Sequence, residues 1–218
     1  MFDDVILHDL KNPLAGITGS TGLFLEGMLG PLSEEQVKYL ENIDFSAKRL
    51  GLLLAELTFI ADAGRSGPAV TSPFPAGELR PELAWIKKAA AKEEKTLTDG
   101  FDDKLSLRAD KHLTSLVLED LLLTAVKQVG RGGQVALDIK KDKDKTITEI
   151  VYGGEEIPAE FLPLVFEKDF RAEHEKLKTK TSPGAGFYFC KLAVEAQGGT
   201  IGIESAPGRS RVYFSLPL

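Results

Sequence analysis

Cysteine and histidine are scarce in this chain: its 218 residues hold one cysteine, Cys190, and three histidines. A single cysteine excludes an internal disulfide and suits a reducing compartment. His112 and His174 stand far apart, neither in a metal-ligand spacing, so both read as surface residues and no metal centre is expected. There is no excess of positive charge. The 27 Lys and Arg against 33 Asp and Glu give a net charge of -6, whereas a nucleic-acid footprint is usually basic. No apolar run approaches the roughly 20 residues that a membrane span needs, and no signal-peptide pattern appears. These absences predict a cytoplasmic chain with no nucleic-acid partner and no direct membrane contact. A hydrophobic share of 43% allows a real core, in one large or two small domains.

What is present starts at His8-Asp9-Leu10-Lys11-Asn12-Pro13-Leu14. His8 and Asn12 are four apart and share a face if the segment is helical. Asp9 can reach the imidazole from the next position. A histidine held by a carboxylate is a better oriented and more basic nucleophile. An amide one turn away can hold a water or an incoming phosphoryl group, and Lys11 can offset phosphoryl charge.

The pattern around this box predicts a helix through Val5, Ile6, Leu10, Leu14 and Ile17, bent by Pro13 and loosened by Gly16, Gly19 and Gly22. Gly27 to Leu32 reads as a turn. Ser33 followed by Gln36 is a capping box that starts a second helix. That helix carries Leu40, Ile43, Ala47, Leu50, Leu54 and Leu57 in a heptad seam. Two helices cannot bury such a seam alone. A homodimeric four-helix bundle is the simplest solution, and packing on the C-terminal half is the alternative. The resulting division is a helical hairpin over residues 1–63, a Gly/Pro/Ser-rich linker over 64–73, and a domain over 74–218.

In that last domain, Glu78–Glu94, Lys111–Val129 and Gly186–Ala196 read as helices and Leu105–Arg108 as a strand. Gln134–Lys140 with Thr146–Tyr152, and Thr200–Ser205 with Arg211–Leu216, alternate as hairpins. This order predicts an α/β sandwich with helices on one face of a sheet, so the whole chain is of the α+β class. Trp85 and Cys190 read as core, and Lys140–Lys145 as a solvated hairpin tip.

The opening heptad resembles the phospho-acceptor box of bacterial two-component histidine kinases. The C-terminal half resembles the ATP-binding domain of the same family. Phe166-Glu167-Lys168-Asp169-Phe170 looks like its phenylalanine box, and Gly184-Ala185-Gly186-Phe187 stands where the family has Gly-Leu-Gly-Leu. Gly198-Gly199-Thr200-Ile201, Ser205, Gly208 and Phe214-Ser215-Leu216-Pro217 fit its ending. The resemblance implies a dimeric phosphotransfer hairpin, an ATPase-type sandwich, and a response-regulator receiver domain as partner. It gives His8 the phosphoryl group, Asp9 the support of its nucleophilicity, and Asn12 a part in dephosphorylating the regulator.

The nucleotide-contacting positions depart from the family. Its Asn-Leu-Leu-x-Asn-Ala helix reads here Asp120-Leu121-Leu122-Leu123-Thr124-Ala125, so the magnesium-holding Asn is Thr124. Its Asp-x-Gly-x-Gly-Ile reads here Tyr152-Gly153-Gly154-Glu155-Glu156-Ile157, so the adenine-binding Asp is Tyr152 and a glycine is Glu156. The remnant site comprises Asp120, Thr124, Lys127, Tyr152, Gly154, Glu156, Gly184 and Gly186, with a short Lys/Glu-rich stretch from Arg171 to Gly184 in place of the ATP lid. Loss of a charged hydrogen bond removes roughly 1.5–3 kcal/mol. With the metal ligand weakened as well, the deficit is on the order of 5 kcal/mol, or several thousand-fold in affinity. Asp120, one turn before Thr124, is the one residue able to rescue Mg2+. The expectation is a phosphorelay protein with no tightly bound cofactor. A divergent ATP- and Mg2+-dependent kinase and a non-catalytic scaffold are the alternatives.

Overall fold

The computed structural model describes residues 4–63, 67–168, 170 and 185–218. The chain divides into two compact units, Met1–Gly64 and Arg65–Leu218.

The first unit is a helical hairpin, α1 (Asp4–Leu25) and α2 (Glu34–Asp62). Pro13 lies inside α1 without ending it. The turn between the helices uses Gly27 and Gly30 at positive φ. The capping box is formed at the start of α2. The Gln36 N–H donates to Ser33 Oγ at 3.2 Å, and the Ser33 N–H donates to Gln36 Oε1 at 2.8 Å. Leu14 from α1 packs with Ala47 and Leu54 from α2. Gly51 faces Leu14 at this contact, with room for a Cβ at 3.4 Å from Leu14 Cδ2. The expected seam is therefore split. Ala47 and Leu54 are buried inside the hairpin, while Ile43, Leu50 and Leu57 remain 47%, 48% and 44% exposed. On α1, Leu10, Ile17 and Phe24 form a matching stripe at 45%, 45% and 37%. Both stripes repeat every seventh residue.

The second unit is a layer of helices on a five-stranded sheet. It begins with β1 (Ser72–Pro75), a short 3-10 helix (Ala76–Leu79) and α3 (Arg80–Lys92). Then come β2 (Thr96–Asp99), β3 (Ser106–Ala109) and α4 (Lys111–Gln128). The chain ends with β4 (Gln134–Asp142), β5 (Lys145–Tyr152), α5 (Ala185–Glu195), β6 (Thr200–Ala206) and β7 (Arg209–Pro217). The sheet order is β2-β4-β5-β7-β6, with only the β2–β4 pair parallel. β1 and β3 form a separate two-stranded sheet.

Strand alternation puts Val135, Leu137, Ile139, Ile150, Val212, Phe214 and Leu216 on the buried face. Leu118, Leu121 and Leu122 of α4 and Phe187 and Phe189 of α5 complete that core. The β6–β7 turn is Pro207-Gly208, with Gly208 at φ +76, as a type II turn requires. Gln197 ties α5 to the start of α4: its Oε1 accepts from the Asp110 N–H at 2.9 Å and its Nε2 donates to the Ala193 carbonyl at 3.1 Å.

Three features differ from the sequence reading. The last two residues assigned to the linker, Ser72 and Pro73, already belong to β1. β2 is an unforeseen edge strand. Trp85 is half-buried rather than core: its indole N–H donates to Glu119 Oε2 of the neighbouring α4 at 3.2 Å, a polar contact at the edge of the apolar interior.

Candidate functional site

The acceptor box lies on α1, which carries His8, Asp9, Lys11 and Asn12 within two turns. Helical spacing sets His8 and Asn12 on one face. Asp9, Leu10, Lys11 and Asn12 are all exposed, so this stretch of helix presents its polar groups outward. The nearest fully packed residue in sequence is Leu14, which anchors the box to α2.

The remnant nucleotide residues gather around the ends of α4, β5 and α5, apart from Gly184, which with His174, Asp169 and the stretch 171–184 lies outside the described residues. Asp120 is only 2% exposed. Its carboxylate lies against the first turn of α5. A Cβ added at Gly186 would come within 2.0 Å of Asp120 Oδ2, and the Cys190 thiol lies 3.9 Å from the same oxygen. Gly186 is thus needed to admit a carboxylate of the chain itself. Thr124 is half-buried and Lys127 is exposed on the following turn. Gly154, at φ +148, closes on the end of α4, where an added Cβ would meet the Gln128 carbonyl at 3.2 Å.

Tyr152 ends β5 on the helix-covered face and is 5% exposed. Burial pushes its phenol up to about 12, against the opposing effect of a hydrogen bond with Ser210, its partner across the β5–β7 ladder. The polar contacts continue. Ser210 Oγ and Ser205 Oγ are 2.9 Å apart, and Ser205 Oγ accepts the Ile157 N–H at 2.9 Å. Ser210, facing Tyr152 across the ladder, is thus linked through Ser205 to the far end of the loop that follows β5. Sequence reading missed this relay. Its only signal was a pair of serines at facing positions of the last hairpin. Glu156, which stands where the resemblance expects a glycine, is exposed and fills no part of the interior.

The phenylalanine segment is anchored on α5. Phe166 stacks on Phe187 at 5.2 Å, Phe161 meets Phe170 edge-on at 6.1 Å, and Lys191 pairs with Glu167 at 2.8 Å. Among the described residues no three His, Cys, Asp or Glu side chains come together to hold a metal ion.

Residues 4–65 match the His Kinase A (phospho-acceptor) domain, and residues 109–218 match the histidine kinase-, DNA gyrase B- and HSP90-like ATPase family. The chain belongs to the two-component histidine kinase family. Alginate biosynthesis sensor protein KinB of Pseudomonas aeruginosa is 24% identical over 97% of this chain, yet the match covers 36% of KinB. The chain spans about a third of the length of the curated relatives it matches. Among solved structures, full-length ShkA in complex with AMPPNP aligns at a TM-score of 0.67 and 19% identity, over 98% of this chain and 44% of ShkA. Histidine kinase ThkA in complex with response regulator TrrA aligns at 0.60 and 20% identity, over 97% of this chain and 59% of ThkA. At these identities the likeness is one of fold.

Membership makes Mg2+-ATP the group to test against the site. The residues present do not fit it in the family's manner. At the positions the sequence assigns to adenine and to magnesium stand a buried tyrosine, Tyr152, and a half-buried threonine, Thr124, and Asp120, the expected substitute ligand, is packed inward against Gly186 and Cys190. A carboxylate already in that position also repels phosphate oxygens.

Proposed function

We propose that this histidine-kinase-family chain works as a phosphotransfer point in two-component signalling. His8 exchanges a phosphoryl group with the aspartate of a response-regulator receiver domain. The buried Tyr152, standing where the family accepts adenine, carries this reading. It argues that the phosphoryl donor is another protein and not ATP held by the C-terminal unit.

The chemistry follows from the box. The neutral imidazole of His8 attacks the phosphorus of an aspartyl phosphate with one ring nitrogen. The N–P bond forms as the acyl-phosphate P–O bond breaks, and the receiver carboxylate leaves. Asp9 accepts a hydrogen bond from the other ring nitrogen and stabilises the positive charge the ring acquires. Lys11 balances the phosphoryl charge, and Asn12 orients water when the regulator is dephosphorylated. The exposure of Asp9, Lys11 and Asn12 supports docking of a receiver over this part of α1.

The domain assignment goes with this function: a phosphotransfer hairpin over 1–63, a linker over 64–73, and a docking and regulatory domain over 74–218. The stripes Leu10/Ile17/Phe24 and Ile43/Leu50/Leu57 support a homodimer in which two hairpins form a four-helix bundle. The solved ShkA–AMPPNP complex favours a second reading, an active but divergent ATP-dependent kinase.

One experiment separates the two. The protein is incubated with labelled ATP and Mg2+, and separately with labelled phospho-receiver domains, beside a His8→Ala control. The proposal expects label from a receiver, none from ATP, and label at background in the control with an unchanged melting temperature. Label from ATP on His8 would establish the kinase reading instead. Label from neither donor across a panel of receivers would leave a scaffold without phosphate chemistry.

A further inference from the structure

The departures at the remnant nucleotide site are not simple losses. A pocket that merely lost its carboxylate would be left with an empty, poorly packed space. Here a bulky side chain is enclosed, and a run of polar contacts lies beside it. The Tyr152 ring is buried on the helix-covered face of the sheet. Ser210 faces Tyr152 across the β5–β7 ladder, Ser210 Oγ lies 2.9 Å from Ser205 Oγ, and Ser205 Oγ accepts from the Ile157 amide. These contacts join the end of β5, both strands of the β6–β7 hairpin and the far end of the 153–157 loop. Gly154 pins the same loop to α4. Buried polar groups that are all paired hold one conformation firmly.

We infer that Tyr152 is a built-in plug: its ring and serine relay take the place of a nucleotide base and lock the 153–157 loop without any ligand. The C-terminal unit is then rigid at all nucleotide levels, which is what a docking module needs and a nucleotide sensor must avoid. Removing the ring, rather than adding a missing contact, is the change that opens the site. The inference rests on the reading that ATP is not the donor, but its test does not use phosphotransfer.

The test is binding of adenosine, which has a base and no phosphate, so that neither Thr124 nor Asp120 enters the result. Adenosine is titrated without metal against the full chain, with binding read by calorimetry and by the melting temperature. Wild type and Tyr152→Phe, which keeps the ring, are expected to show no saturable binding. Tyr152→Ala and the more conservative Tyr152→Val are expected to bind at least about tenfold more tightly than wild type. Adenosine is also expected to raise their melting temperature by filling the space left by the ring. Adenosine binding by the wild type would overturn the plug, as would a folded Tyr152→Ala or Tyr152→Val that binds no better.

Should both variants fail to fold, native-state hydrogen exchange of the wild type decides. The Ile157 amide must be protected as strongly as core strand amides and unchanged by ATP. A freely exchanging Ile157 sinks the inference. Failure of receiver-to-His8 transfer, by contrast, would remove the proposed function and leave this result untouched.

Discussion

In the hairpin, Ile43, Leu50 and Leu57 keep nearly half their surface in water, while Leu14, Ala47 and Leu54 form a small buried apolar cluster. In the C-terminal unit, Leu79, Ile86, Leu118 and Leu122 are fully buried, and even the polar Tyr152 is enclosed and paired. The first unit carries the proposed phosphoryl box but leaves two apolar stripes in water. The second encloses its core, and a buried tyrosine stands at the position proposed for adenine. The contrast teaches that fold and chemistry are maintained separately. A two-layer sandwich needs only apolar faces at the right period, and exchanges at a few proposed nucleotide-contacting positions leave those faces intact. A hairpin with two exposed heptad stripes is stable only with something against them.

The largest expected effect comes from breaking the hairpin's need for a partner. Leu50→Glu puts a charge on the stripe of each copy in the proposed dimer. Losing two buried leucines per dimer amounts to roughly 3–6 kcal/mol of association free energy. Sedimentation should show monomers at concentrations where the wild type is dimeric. An unchanged dimer would mean that the stripe faces something else. The converse change strikes the self-sufficient unit. Ile86→Ala, at a fully buried position of α3, should destabilise the C-terminal unit by about 2–5 kcal/mol. Chemical denaturation should show the C-terminal transition moving while sedimentation stays dimeric. Loss of the dimer in this variant would show that the units do not stand independently.

A weaker lever is acid. Arg211 donates to Glu149 and holds its carboxyl below the usual value of 4.5, and Lys140 adds to this at 3.2 Å. Asp99 is also lowered from 3.8: burial would raise it, but the hydrogen bond and charge of Lys87, with Arg80, outweigh that. A depressed folded value means that stability is fully present above the unfolded value and is lost as pH falls through the folded one. The C-terminal melting temperature should therefore hold from pH 7 to about 5 and fall below about 4. Arg211→Ala should shrink that acid drop; an equal drop in the variant would locate the acid sensitivity elsewhere.

Local patterns made much of this molecule legible. The alternation in Gln134–Tyr152 and Thr200–Pro217 gave two hairpins, because each strand's partner is its neighbour in sequence. β2 was not readable. Thr96–Asp99 is four residues long and owes its strand state to parallel pairing with β4, which no local pattern reports. β1 was hidden by Pro73 and Pro75, residues tolerated there because the strand lies at a sheet edge. At the site, Tyr152 stood out in the sequence where the resemblance expects a carboxylate, but its place opposite Ser210 depends on the β5–β7 register, and the approach of Asp120 to Gly186 depends on the packing of α4 on α5. A missing residue can be read from a sequence; what fills its place requires the tertiary contacts.

The smallest expected effect sharpens the comparison at the hairpin's own end. The Ser33–Gln36 box satisfies two backbone donors at the start of α2, with Glu34 and Glu35 favourably placed in the first turn. Both residues are exposed, so the box contributes through local bonds and not through burial. Ser33→Ala should cost about 0.5–2 kcal/mol. If hairpin folding and dimer assembly are one process, that loss appears as weaker association as well as a lower hairpin melting temperature. The C-terminal transition should not move, since that half is a compact unit of its own. A cap mutation felt only by the C-terminal unit would reverse the assignment of which unit depends on its surroundings.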